Sequence, residues 1–108
     1  MDNLYEKTLL YDFYGELLTD HQKEVYSAVM FNDLSLSEAS ESFGISRQGI
    51  HDMIRRCDKT LSDYEGKLHL VRQFGEVRER LRKLEEDLMK GISKETLRKE
   101  IRKIRAEI

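Results

Sequence analysis

Proline and tryptophan are absent from the chain, cysteine occurs once, and glycine only six times in 108 residues. Without proline no helix interior is barred from continuing, and Leu, Glu, Lys and Arg, all good helix formers, dominate the composition. The lone Cys57 excludes an intrachain disulfide and has no partner at metal-ligand spacing, so it reads as a small buried apolar residue. Long apolar runs are missing too. The longest, such as TLLY at 8–11, fall far short of the roughly 20 residues that cross a bilayer. Charges begin at Asp2, which leaves no signal-peptide pattern, and the expectation is a cytoplasmic protein with no membrane insertion.

What is present is charge, 37% of the residues, with a formal net of −2 that hides a strong polarity. Residues 1–66 carry six Lys and Arg against thirteen Asp and Glu, a net of −7, while residues 67–108 carry thirteen against eight, a net of +5. Affinity for nucleic acid comes largely from neutralising phosphates, so the acidic half argues against a strong, simple duplex binder.

The periodicity predicts an all-α protein. LYEKTLLYDFYGELL at 4–18 places Leu10, Phe13, Tyr14, Leu17 and Leu18 at helical spacing, with the aromatics read as core. Thr19 and Gln22 form a capping box for a second helix whose Val25, Val29 and Met30 share a face, with Tyr26 beside it and a turn at Asn32-Asp33. Ser35 and Glu38 repeat the device, and the third helix stops at Gly44. Ser46 caps the fourth, whose Ile50, Met53, Ile54, Cys57 and Leu61 recur three or four apart. Gly66 interrupts the pattern. Beyond it Leu70, Phe74, Val77, Leu81, Leu84 and Leu88 form a heptad stripe, predicting a helix over 67–90, on the order of 36 Å long. Gly91 ends it, Ser93 caps the last helix, and Leu97, Ile101, Ile104 and Ile108 line one face. The two stripes predict an antiparallel hairpin over 67–108, following a domain over 1–66. A hairpin alone buries one seam, so its ends are expected to pack on residues 1–66 or on a second copy, and a homodimer is one use of the stripe.

Ala39, Gly44, Ile45, Ile50 and Ile54 meet the needs of a helix-turn-helix: a small residue at the helix crossing, a left-handed turn residue, and apolar residues fixing the second helix. The polar face left on that second helix includes Arg47, Gln48, His51, Asp52, Arg55 and Lys59. Arg47, Gln48 and His51 are candidates for base edges, and Arg55, Arg56 and Lys59 for phosphates. The stretch LTDHQKEVYSAVMFNDLSLSEASESFGISRQGIHDMIRRCDKTL, 18–61, resembles region 4 of sigma-70-type factors, with Cys57 where those factors usually have alanine. Asp52, Asp58 and Asp63 along the helix, and only a hairpin after it, depart from a complete sigma factor.

Over its whole length, through EKTLLYDFYGELLTDHQ, LSLSEASESFGISRQGIHDMIRR and YEGKLHLV, the chain resembles the YlxM family of small cytosolic proteins of Gram-positive bacteria. That resemblance implies a helix-turn-helix protein encoded beside the signal recognition particle GTPase and its receptor, with a role in regulating that targeting pathway. Two functions follow as expectations: a DNA-binding regulator, or an adaptor that binds the particle's RNA or GTPase through Arg98, Lys99, Arg102, Lys103 and Arg105. An enzyme is not expected. His21, His51 and His69 are widely spaced, no nucleophile sits in a recognisable turn, and no metal or cofactor is implied.

Overall fold

The computed structural model describes residues 4–108; Asp2, counted in the acidic balance above, lies outside them. The described chain is all-α: α1 Leu4–Tyr14, a 3₁₀ turn Gly15–Leu17, α2 Asp20–Met30, α3 Leu36–Phe43, α4 Arg47–Leu68, α5 Leu70–Met89 and α6 Lys94–Glu107. It divides into two compact units, with the boundary between His69 and Leu70. Among the described residues no helix is long and apolar enough to cross a membrane.

In the first unit, local chemistry sets the helix starts. Thr19 Oγ1 accepts from the Gln22 amide while the Gln22 side chain accepts from the Thr19 amide, and Ser35 and Glu38 repeat this reciprocal pair. Backbone and hydroxyl donors of Ser35 hold the Glu38 carboxyl below its usual range. Gly44 ends α3 at φ 65°, a left-handed conformation that glycine adopts without a Cβ penalty. Val25, Ala39 and Ile50, one each from α2, α3 and α4, are fully enclosed, and Leu36, Phe43, Ile45, Met53 and Ile54 close around them. This three-helix core orients α4.

Two expectations about this unit change in the structure. The first helix ends at Tyr14 rather than near residue 18, because Gly15 is buried with the Tyr11 ring 3.2 Å from where a Cβ would sit, and the chain tightens there into the 3₁₀ turn. Tyr14 and Leu18 are buried as a result, while Phe13 and Leu17 stay substantially exposed. Gly66, in turn, does not interrupt anything: α4 passes through it and breaks at His69, where φ is 57°. An exposed glycine costs a helix only about 1 kcal/mol relative to alanine, too little to break one held firmly just before it. The anchors are Leu61, fully buried, and Glu65, which accepts a 2.6 Å hydrogen bond from the Tyr14 hydroxyl.

The second unit is an antiparallel hairpin. The Gln73 amide near the start of α5 donates to the Glu107 carbonyl at the end of α6 (2.8 Å), and Arg80 pairs with the Glu107 carboxylate. Gly91 at φ 91° makes the turn, and Ser93 caps α6 by accepting from the Thr96 amide. The heptad stripe is split. Leu84 and Ile104 are buried between the helices and Val77 and Leu97 partly so, but Leu81, Leu88, Ile101 and Ile108 remain exposed. Two helices touch along one line each, so a second apolar line on each has nothing within the hairpin to pack on.

Candidate nucleic-acid interface

The turn between α3 and α4 is built for close approach. A Cβ at Gly49 would lie 2.6 Å from Ile45 Cγ2, so only glycine lets the first turn of α4 rest on Ile45. Ser46 caps the helix by accepting from the Gly49 amide at 3.0 Å. Unlike α2, α3 and α6, which carry Asp20, Glu38 and Glu95 in their first turns, α4 has no acidic residue there. Its N-terminal dipole and Arg47 are therefore met by no carboxylate within the first turn.

All six residues expected from the sequence lie exposed on α4. They fall into two open surface depressions. Arg47, Gln48 and His51 line the first together with Leu36 of α3; Arg55, Arg56 and Lys59 line the second together with Asp52. The grouping separates the residues proposed for bases from those proposed for phosphates. Their pairing differs as well. Gln48 Nε2 donates to Asp52 Oδ1 at 2.9 Å, His51 Nδ1 lies 3.8 Å from the same oxygen, and Lys59 pairs with Asp63 at 3.0 Å. Arg47, Arg55 and Arg56 have no hydrogen bond or ion pair among the described residues.

Asp58, grouped from sequence with Asp52 and Asp63 along the helix, is turned inward instead. Its Oδ1 accepts from the Tyr26 hydroxyl at 2.5 Å and its Oδ2 from Lys7 Nζ at 3.3 Å, which joins α4 to α2 and α1. Tyr26, placed beside the apolar face by periodicity, is fully buried, and burial first, then the bond to Asp58, pushes its phenol up. Its ring stacks on Tyr11 at 5.8 Å and meets Phe31 edge-on at 6.0 Å. A buried tyrosine needs a partner for its hydroxyl, and that requirement was the signal in the sequence for an acidic residue turned inward. Cys57 is buried as expected, its thiol pushed up to about 11 by burial and by the neighbouring Asp58 charge.

The alternative basic surface lies on α6, where Arg98, Lys99, Arg102, Lys103 and Arg105 are all exposed. Arg98 pairs with Glu95 at 3.1 Å and Lys103 with Glu100 at 3.4 Å, while Lys99, Arg102 and Arg105 have no ion pair among the described residues.

Residues 1–104 match the family model described as "UPF0122: Putative helix-turn-helix protein, YlxM / p13 like". The chain is similar to a UPF0122 protein of Caldanaerobacter subterraneus, 46% identical over 85 residues, covering 79% of this chain and 73% of that one. Similarity to a UPF0122 protein of Thermoanaerobacter sp. is 44% over 87 residues, covering 81% and 74% of the two chains. A UPF0122 protein of Clostridium novyi is 47% identical over 77 residues, covering 71% and 67%.

Proposed function

Since the chain belongs to the UPF0122 family of YlxM/p13-like helix-turn-helix proteins, we propose that it is a non-enzymatic regulator that binds duplex DNA through the exposed face of α4. Arg47, Gln48 and His51 address base edges, and Arg55, Arg56 and Lys59 address phosphates. The observation that carries this reading is the charge state of that face: Arg47, Arg55 and Arg56 have no carboxylate partner, while Asp58 is drawn away to Tyr26 and Lys7. The acidic excess of the first unit thus bears less on the docking surface than a count of charges implies. Gln48 exchanges its bond to Asp52 for a base edge on docking. The likeness to sigma-70 region 4 over 18–61 supports the same placement of α4 in a major groove.

The place of action is the cytoplasm. Resemblance to YlxM further supports a part in the signal recognition particle pathway, with the particle's GTPase or RNA as partner and Lys99, Arg102 and Arg105 as the available contact surface.

Duplex binding, measured by fluorescence anisotropy on selected genomic fragments at several salt concentrations, tests the DNA reading. Arg47→Ala should erase preference among fragments. Arg55→Ala should weaken binding to all of them and lower the salt slope by about 1. Wild-type protein that binds no duplex at low salt would sink the proposal. Recovery of the particle's RNA or GTPase from lysate, lost on replacing Arg102 and Arg105, would favour the adaptor in its place.

A further inference from the structure

The apolar line that the α5–α6 hairpin leaves uncovered has a repeat and a charge pattern of its own. Within each helix the inward residues are seven apart, Val77 and Leu84 on α5, Leu97 and Ile104 on α6. The outward line is also spaced by sevens: Leu81, Leu88, Ile101 and Ile108 keep 50, 51, 43 and 72% exposure. Because antiparallel helices that meet through the same heptad positions turn their next positions to the same side, these four residues share one face of the hairpin. Each is a large aliphatic side chain that gains by leaving water.

We propose that this face is the contact between two copies of the chain, with α5 packed antiparallel on α5 of the second copy in a four-helix bundle. The occupant is read from the charges that border the line. Arg80, Arg82 and Arg72 of α5 are paired, with Glu107, with Glu79 and Glu86, and with Glu76 respectively. Arg78 and Glu85 are exposed and have no ion pair among the described residues. They occupy the same heptad position on the outer border of the line, one on either side of Leu81.

A twofold axis at Leu81 sets Arg78 opposite Glu85 of the second copy and Glu85 opposite its Arg78. One sequence thereby yields two cross-pairs, as a self-complementary contact requires. An acidic partner helix would satisfy Arg78 but oppose Glu85, and a basic one the reverse. Along α6 the border residues are Arg98, already held by Glu95 at 3.1 Å, and Arg105. The pair of copies carries two α4 helices, the number that a site with two half-sites takes.

Light scattering on the full chain as it elutes from a sizing column tests this directly. The wild type should have the mass of two chains at micromolar concentration, and Leu81→Arg that of one. Arg78→Glu and Glu85→Arg should each weaken the dimer on the order of tenfold, and the double variant Arg78→Glu/Glu85→Arg should recover wild-type affinity. Helicity by circular dichroism separates dissociation from unfolding. A monomeric wild type overturns the proposal and leaves the face to a different protein. So does a dimer whose affinity is unmoved by all three single changes, since its contact would lie elsewhere.

Discussion

The two units put leucine, isoleucine and charge to opposite ends. In the first, Tyr14, Val25, Tyr26, Ala39, Ile50, Cys57 and Leu61 are enclosed by helices on several sides. In the second, only Leu84 and Ile104 fall in the buried core. Charges differ in the same way. Asp58 and Glu65 of the first unit reach across to tyrosines 32 and 51 residues away, whereas most carboxylates paired in the hairpin meet a base three or four positions along the same helix. Four helices can surround a core. Two can only share a seam, so their remaining apolar surface is available for association, and their local ion pairs add solubility more than stability.

The sharpest way to break this contrast is to cut a side chain out of each unit. Ile50→Ala should lower unfolding free energy by about 2–5 kcal/mol, because the cavity lies inside a closed core. Leu84→Ala should cost about 2 kcal/mol, the low end of that range, because its site can open toward solvent and collapse. Urea denaturation followed by circular dichroism gives both numbers, and equal losses would mean that the hairpin has a closed core after all.

Smaller effects come from the two glycines of α4. Gly49→Ala drives a Cβ against Ile45 and should destabilise by about 1–3 kcal/mol. Gly66→Ala meets no atom within 4 Å and should stabilise by about 0.5–1 kcal/mol. Thermal melts of the two variants should therefore move in opposite directions. A loss of stability in Gly66→Ala would show that this end of α4 is packed rather than open.

The mildest test is the pH dependence set by Cys57. An ordinary thiol ionises near 9, but the folded chain holds this one protonated up to about 11, so the unfolded chain releases its proton first. That contribution is fully present below pH 9 and is lost as pH rises from there to about 11. Cys57→Ala should consequently lose less stability than wild type between pH 8 and 10.5. The native thiol should also resist labelling at pH 8, whereas rapid labelling would place it at the surface.

Much of the fold was legible because its causes are local. The capping pairs Thr19–Gln22 and Ser35–Glu38, the left-handed Gly44, the caps Ser46 and Ser93, and the turn at Gly91 each depend on residues within a few positions of one another. That Arg47, Gln48, His51, Arg55, Arg56 and Lys59 lie exposed on α4 was legible for a similar reason, since the apolar stripe of a helix leaves its polar face by subtraction. What escaped was any property that depends on a distant partner. Leu17 has the spacing of a core residue, but the close approach of the Tyr11 ring at Gly15 tightens the chain and turns it outward.

By itself, then, the sequence determined an all-α chain, its helix starts, the helix-turn-helix and the order of its parts, because backbone capping and helical periodicity act over a few residues. The tertiary structure decided which carboxylates and which leucines remain exposed. Asp58 leaves the exposed face of α4 because a buried tyrosine hydroxyl on another helix must be satisfied. Leu81 and Ile101 stay exposed because each of two paired helices can cover only one line of the other.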